Sequence, residues 1–561
     1  MLWQRLPSFQ PRVPNIDLEF SREQIRTPGS PSSREHTQIS QIIAEAEKDL
    51  SDYEEDLRCL DSIVSDLRKK RDDLKKYVDD CKAYLSPIRQ LPTEIMGEIF
   101  LFYQDLHGTR QDGRFREPIN DPDHSTQDLT ALMLSSVSKL WHSICLGTPQ
   151  LWSRFSLDLD EIEDSDSGER NALSQLLPIY LSRSKQMPLC FDIKIQGNCP
   201  ASTKSLSLLV AQSHRWFSTS WELDEVDEET VACLSVQKEL PLLQHITAKP
   251  IVGYVSSGDP LGIFAGACTP RTVSLTWMSN FLDSKLPWSE VHFLRAHGVS
   301  SVVGVVEYLV KLAGQCRALR SLEVEFNEAS LEPYQLDCTI RLDALEYLCL
   351  YPLSWYELGE FFSISTLPNL RRLALYFDTS DDTQSPNTDF FRSFLSRSQC
   401  SISVLQLGAL RLDALNPICD MLHDLPALKK LILEEFTHNP GAIMSSLMET
   451  LHVRSPHSIE ADSLTAQNND PLLPLLEELV VGVRADRFQA SKFVYMVESR
   501  CALTGHGMRA LKSVKLYLQS HHSTKDFPVL PPILQSLGGT DLEIFSRRFL
   551  IDELRECWPA P

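Results

Sequence analysis

One spacing recurs through the second half of the chain and limits its fold more than any other feature: apolar-x-x-apolar-x-apolar. The clearest copies are Leu345, Leu348, Leu350 and Leu370, Leu373, Leu375. Earlier copies are Leu243, Ile246, Ala248; Val291, Leu294, Ala296; and Leu319, Leu322, Val324. Later ones are Ile402, Leu405, Leu407; Leu428, Leu431, Leu433; Leu476, Leu479, Val481; and Leu511, Val514, Leu516. Pro270, Val273, Leu275 and Met448, Leu451, Val453 are weaker candidates. Three copies are entered alike, through Leu367-Pro368-Asn369-Leu370, Leu425-Pro426-Ala427-Leu428 and Leu473-Pro474-Leu475-Leu476. The last two apolar positions alternate, as in a strand with one buried face.

Such a period is the mark of a solenoid. Each copy is too short to bury its own apolar side and must stack on its neighbours. The predicted fold is therefore an α/β solenoid, an irregular leucine-rich-repeat horseshoe over residues 156–527 with a capping segment at 528–561. Alternation points Leu348 and Leu350 inward and puts Cys349 and Tyr351 on the concave face. Tyr347, Tyr351 and Tyr376 are the candidate anchors there, since Tyr is favoured at interfaces. The Asn or Cys that regular repeats carry at the ninth position is met only by Asn327. The count, nine to twelve, stays open. A doubly wound sheet is the competing architecture, but no Gly-rich phosphate loop accompanies it. Residues 378–387 and 454–470 read as polar insertions, and Gly505-His506-Gly507 as a turn.

The N-terminal part reads differently. Residues 1–36 are dense in proline and are expected to be a disordered tail. From 37 to 85 apolar residues alternate at three and four: Ile43, Ala46, Leu50, Tyr53, Leu57, Leu60, Val64, Leu67, Leu74, Val78, Cys81 and Leu85. Only Arg71 interrupts this heptad, so a long helix is expected, stopped at Ser86-Pro87. Its stripe requires a partner, either a second copy in a coiled coil or a segment of the same chain. Arg68-Lys69-Lys70-Arg71 reads either as a nuclear localisation signal or as a solvated face with i,i+4 acidic partners.

Between these parts, residues 86–155 carry Leu91-Pro92-Thr93-Glu94-Ile95 and then Ile99-Phe100. A helix over 93–103 would show Ile95, Ile99 and Phe102 in one apolar row and Met96, Phe100 and Tyr103 in the next. A module this small cannot bury all of that surface, so part of it, with Leu91, is left for a partner; the alternative from periodicity is a small three-helix core with no partner surface. A second helix shows Val137, Leu140, Trp141 and Ile144, and Thr148-Pro149-Gln150-Leu151-Trp152 closes the unit. Residues 107–128 read as an inserted polar loop.

These motifs resemble the F-box, in the form abundant in basidiomycete fungi. The heptad helix leading into the Leu-Pro pair, the Val137-Ser138 and Trp141 pattern, the Leu151-Trp152 ending and Leu181-Ser182-Arg183-Ser184 all carry the likeness. The resemblance implies docking on a Skp-type adaptor, and through it on a cullin–RING ligase, by Leu91, Pro92, Ile95, Ile99, Val137 and Trp141. It implies a non-catalytic adaptor of the ubiquitin conjugation pathway whose repeats hold an unknown protein substrate. The alternative is a non-ligase scaffold dimerised through the heptad helix.

Nothing in the sequence competes with this as chemistry. There is no nucleophile elbow, phosphate loop, dinucleotide fingerprint or zinc motif, so no cofactor or metal is expected. Basic residues number 54 against 76 acidic ones, a formal charge of −22. That balance argues against nucleic-acid or anionic-membrane partners. The fourteen cysteines form no Cys-x-x-Cys pair, as in a reducing compartment. Without a signal peptide or long apolar run, a cytoplasmic or nuclear location is expected.

Overall fold

The structure is a computed structural model. It describes residues 29–107, 117–118, 129–158, 176–196, 200–224, 239–249, 261–276, 281–301, 305–329, 339–377, 388–410, 415–435, 443–453, 472–484, 489–502, 509–519 and 541–545, with a few positions before 29, including Arg12. Most of the expected tail, the insertions 378–387 and 454–470, the Gly505–Gly507 turn, most of the 107–128 loop and most of the cap lie outside these residues. The chain forms two compact units, Met1–Met96 and Gly97–Pro561.

The first unit is dominated by helix α1, Ser33–Tyr84, 52 residues long. It starts on a capping box. The Ser32 hydroxyl accepts from the Glu35 amide, and the Glu35 carboxylate accepts the Ser32 N–H at 2.8 Å. Glu35 is thereby held below the usual carboxylate range by the Ser32 backbone and hydroxyl bonds. Pro87 cannot continue the ladder, and it opens a short 3-10 helix, Pro87–Gln90. Helix α2, Thr93–His107, follows, and the boundary between the units falls inside it. It runs a turn further than its apolar pattern predicts.

The second unit continues with α3 (Thr130–Val137) and α4 (Lys139–Gly147). The sequence pattern suggested one helix through Val137 and Ile144. Instead Ser138 adopts an extended conformation, and its hydroxyl accepts from the Trp141 amide at 3.2 Å. Ser138 is thus an N-cap, which ends one helix and starts another.

The remainder is built on parallel strands: β1 (Glu117–Pro118), β2 (Arg154–Asp158), β3 (Leu189–Gln196), β4 (Trp216–Asp224), β5 (His245–Lys249), β6 (Thr272–Thr276), β7 (Phe293–Ser301), β8 (Ser321–Ala329), β9 (Ile340–Arg341), β10 (Tyr347–Leu353), β11 (Ser365–Thr366), β12 (Arg372–Phe377), β13 (Val404–Leu410), β14 (Lys430–Glu435), β15 (Glu478–Arg484), β16 (Ser513–Gln519) and β17 (Asp541–Phe545). All but β9 and β11 form one sheet, and its spatial order is the chain order throughout. A doubly wound sheet reverses its order at a switch point; this one never does. The arrangement is an α/β solenoid.

Register makes the repeat physical. Leu322, Leu348, Leu373, Leu405, Leu431, Leu479 and Val514 are successive partners across the ladder, all buried. In the main sheet from β6 to β16 each coil also hands two amides to one carbonyl of the coil before it. Glu346 and Tyr347 donate to Arg320 O, Arg371 and Arg372 to Glu346 O, and Ser403 and Val404 to Arg371 O. The Leu-Pro-x-Leu entries form one recurring turn, in which Leu370, Leu428 and Leu476 donate to the carbonyls of Leu367, Leu425 and Leu473.

The returning helices lie on the leucine side, and from Val305–Gln315 onward each meets the next. They are α5 (Pro200–Val210), α6 (Val305–Gln315), α7 (Trp355–Ile364), α8 (Asp389–Ser398), α9 (Leu415–His423), α10 (Ile443–Leu451) and α11 (Ala490–Ala502). Tyr308 of α6 meets Phe326 of β8 edge-on at 5.9 Å, and Trp355 of α7 stacks on Phe377 of β12 at 4.6 Å. Between α7 and α8, Phe362 and Phe394 lie 4.5 Å apart.

Three arginines tie coils together through backbone carbonyls. Arg500, 1% exposed, bonds the carbonyls of Leu451, Leu472 and Leu473. Burial pushes it down to about 10. Arg397 bonds the carbonyls of Phe362 and Ser365. Arg215 bonds Met187 O and the Ser184 hydroxyl.

Two sequence readings need correction. Met448 and Leu451 belong to α10, not to a strand, because leucine spacing of three also fits a helix. The sheet also has a strand, β4, where no leucine pattern pointed: Trp216, Thr219 and Trp221 take the buried positions that leucines hold elsewhere. Residues Glu117–Pro118, within the expected loop, pair with β2. Asn327 falls in β8, with its side chain outside the described residues.

Candidate functional site

The helices α2 to α4 sort their apolar residues into two groups. In the second unit Phe100 is 1% exposed, while Ile99 on the same helix is 40% exposed and Phe102 65%. Phe100 packs on Trp141 of α4 with ring centroids 4.8 Å apart. Gln104, one turn on and fully buried, donates to Leu151 O at 3.1 Å. The Trp152 indole donates to Cys145 O at 2.9 Å. Gly97 lets α2 approach Thr148, whose Oγ1 would lie 3.1 Å from an added β-carbon. The core row is therefore the one through Phe100, and the Ile99, Phe102 and Leu106 row faces out.

Of the six residues predicted to dock a partner, Leu91, Pro92 and Ile95 lie in the first unit and are exposed. Leu91 ends the 3-10 turn, and Pro92 precedes α2. In the second unit Ile99 is exposed, as is Val137, the last residue of α3, at 57%. Trp141 differs: it is half-buried against Phe100, so it is as much core as surface. Phe102, Leu106 and Leu140 are exposed as well, although none was among the six predicted docking residues. Helical spacing from Ile99 reaches the first two.

The sequence motifs on either side of the first sheet strands meet in space. Arg183 lies 4.4 Å over the Trp152 ring, and Tyr180 meets Trp152 edge-on at 5.1 Å. The neighbouring Ser184 is the hydroxyl that accepts from Arg215. The Leu-Trp and Leu-Ser-Arg-Ser stretches are thus two halves of one joint between α4 and the sheet.

The sheet face opposite the leucines holds a second candidate. Arg295 Nε donates to Glu323 Oε2 at 2.8 Å. His297 Nε2 is 3.2 Å from Glu323 Oε1, and its Nδ1 is 2.8 Å from Glu325 Oε2. The Tyr351 hydroxyl lies 2.6 Å from His297 Nδ1 and donates to Glu323 at 3.3 Å. Bulges shape the cluster: β7 shifts register between Ala296 and Val299, and β10 between Leu350 and Leu353. Such bulges re-aim side chains. Beside the cluster, Cys349, Ala374, Ile432, Val480 and Tyr517 form a small apolar core, with Tyr347, Tyr351 and Tyr376 packed on it.

Electrostatics follow from the geometry. Burial alone would raise the Glu323 carboxyl, but the bonds and charges of His297 and Arg295 outweigh it and hold it at about 2. Burial also opposes the His297 imidazolium, and Glu323 and Glu325 overcome it and raise its pKa. Burial pushes the Cys349 thiol and the Tyr347 and Tyr351 hydroxyls up. Cys349 is therefore a packing group rather than a thiolate nucleophile. The tyrosines expected as exposed anchors are half-buried and pre-positioned, with Tyr351 and Tyr376 5.5 Å apart. What the arrangement offers is a rigid aromatic surface edged by a charge cluster, neutral when His297 is protonated and negative when it is not.

Among the described residues no group of three or more His, Cys, Asp or Glu is placed to hold a metal ion. No described helix is long and apolar enough to cross a membrane. No protein-family model matches the chain, and no curated protein is significantly similar to it. A solved structure of a Bacteroides fragilis protein aligns at 13% identity over 69% of this chain and 74% of that one, with a TM-score of 0.21, a likeness too slight to carry any assignment.

Proposed function

We propose that this chain is a non-catalytic substrate-recognition adaptor of a Skp–cullin–F-box-type ubiquitin ligase, with α2 to α4 as the F-box and irregular leucine-rich repeats as the substrate-binding part. The observation that carries the reading is the division on α2: Phe100 is core while Ile99 is exposed, on the helix that follows an exposed Leu91-Pro92. Of the docking residues implied by the family resemblance, Leu91, Pro92, Ile95, Ile99 and Val137 are each exposed, while Trp141 is half-buried against Phe100. The aromatic face around Tyr347, Tyr351 and Tyr376 is the surface best suited to hold a protein substrate, since preformed aromatic surfaces bind at low ordering cost. Function would be proximity: the bound substrate's lysine is held near a ubiquitin-charged enzyme at high effective concentration. A cytoplasmic or nuclear location fits that role.

The test is co-purification of the full chain with a Skp-type subunit. Leu91→Ala with Pro92→Ala should abolish it without unfolding the protein. Retained co-purification by a folded double variant would remove the assignment of this surface.

A further inference from the structure

The long helix α1 carries an apolar stripe most of whose described residues are exposed, Ala46 and Leu60 being half-buried. Ile43, Leu50, Leu57, Val64, Leu67 and Leu74 are between 42% and 63% exposed. The three-and-four spacing puts Leu50, Leu57 and Val64 at one seam position and Leu60, Leu67 and Leu74 at the other. The residue directly after each second-position seam residue flanks the seam. In the N-terminal half these flanking residues are Glu47, Glu54 and Asp61; in the C-terminal half they are Arg68, Lys75 and Lys82. All six are exposed. The flank of one seam is thus sorted by charge, acidic first and basic second, while acids elsewhere in the C-terminal half, such as Asp72 and Asp79, sit away from it.

We propose that α1 pairs with α1 of a second copy of this chain, and that the two run antiparallel. The sorted charges select this occupant and this direction. Centred between Ser65 and Asp66, an antiparallel pair seats Val64 against Leu67, Leu57 against Leu74 and Leu50 against Cys81. The same alignment brings Glu47 to Lys82, Glu54 to Lys75 and Asp61 to Arg68, each twice by symmetry. A parallel pair does the reverse. It sets acidic flank against acidic flank, Asp56 to Asp61, and basic against basic, Lys70 to Lys75. It also places the two Arg71 guanidinium groups side by side in the seam. Antiparallel pairing instead puts Arg71 across from Leu60, next to Asp61 of the other copy. Buried leucines supply the drive, and the flanking ion pairs, individually weak, choose the direction. The chains then leave the pair at opposite ends, about 60 Å apart at 1.5 Å per residue, which makes the assembly bivalent. The proposal is independent of the adaptor reading.

The test uses the full chain. Light scattering across a concentration series should give a dimer. In a Cys59→Ser background, Leu50→Cys places a thiol opposite native Cys81, which is exposed. Mild oxidation with diamide should then give a covalent dimer that peptide mapping joins between position 50 and Cys81. Within one helix these positions are about 46 Å apart, so that bond can form only between copies. Glu47→Lys with Glu54→Lys and Asp61→Lys should weaken the dimer by about tenfold or more. Adding Arg68→Glu, Lys75→Glu and Lys82→Glu should restore it. A monomer at every concentration, a Cys81-to-Cys81 bond, or no restoration by the sixfold exchange would each overturn the proposal.

Discussion

The ring of Tyr376 occupies the space that a β-carbon on Gly408 would fill, and its hydroxyl is bonded to Gln406 on the same neighbouring strand. Tyr376 and Gly408 are direct register partners on β12 and β13. The glycine is what lets this tyrosine lie flat along the sheet and pack on Ala374 and Tyr351.

Gly408→Ala should therefore displace Tyr376 and lower stability by about 1–3 kcal/mol, as overpacking does. Urea denaturation measures the loss. In a Tyr376→Ala background the same substitution should cost much less, because the clash is gone.

Arg500 gives a second prediction. Its guanidinium is buried and, among the described residues, is bonded to three carbonyls at 2.6 to 3.2 Å and to no carboxylate. Arg500→Met leaves those carbonyls without donors and should cost about 3 kcal/mol or more. Arg500→Lys keeps the charge but not the fork geometry, and thermal denaturation should place it between the two.

The cluster around Glu323 predicts two edges to a pH–stability profile. Glu323 is depressed from 4.5 to about 2, so its contribution is complete above 4.5 and is lost as pH falls toward 2. His297 is raised above 6.5, so its contribution is complete below 6.5 and is lost as pH rises through the raised value. Denaturation midpoints measured from pH 3 to 9, a window of about six units, should show both slopes. Glu323→Gln should flatten the acid edge and weaken the neutral one; an unchanged profile would show that these contacts contribute nothing to folding.

Neighbouring positions on α2 should behave oppositely. Phe100→Ala removes a core ring packed on Trp141 and should destabilise by about 3–5 kcal/mol. Ile99→Asp changes an exposed position and should shift stability by about 0.5 kcal/mol or less, while abolishing Skp-type co-purification if that face docks the adaptor. Circular dichroism melts and pull-downs on the two variants separate folding from docking.

The strand ladder was legible because leucine at a fixed offset marks a buried strand wherever it recurs. Trp216–Asp224 escaped because Trp216, Thr219 and Trp221 stand at the offsets where other coils carry leucine or another aliphatic residue. Met448 and Leu451 misled for the converse reason, since three-residue spacing suits a helix equally. On α2 the sequence showed two apolar rows, but only the packing of Phe100 on Trp141 decides which is core. The Arg295–Glu323–His297 cluster could not be read at all: Glu323 lies 28 residues from Arg295 and meets it only once the coils are in register.

The shared carbonyls of the sheet have a consequence for how such a chain can vary. From β6 to β16 each coil is indexed to the previous one at a single peptide oxygen, as Arg371 O indexes β13 and Lys429 O indexes β15. Everything between two indexing points is free to grow or shrink without changing which residues line up across the sheet. The connection from β14 to β15 takes in α10 and the stretch after it, yet Leu431 still meets Leu479 directly. Length changes in the returns and changes of side chain on the aromatic face can therefore be inherited separately, so a lineage of such proteins can remodel that surface while keeping the spine unaltered.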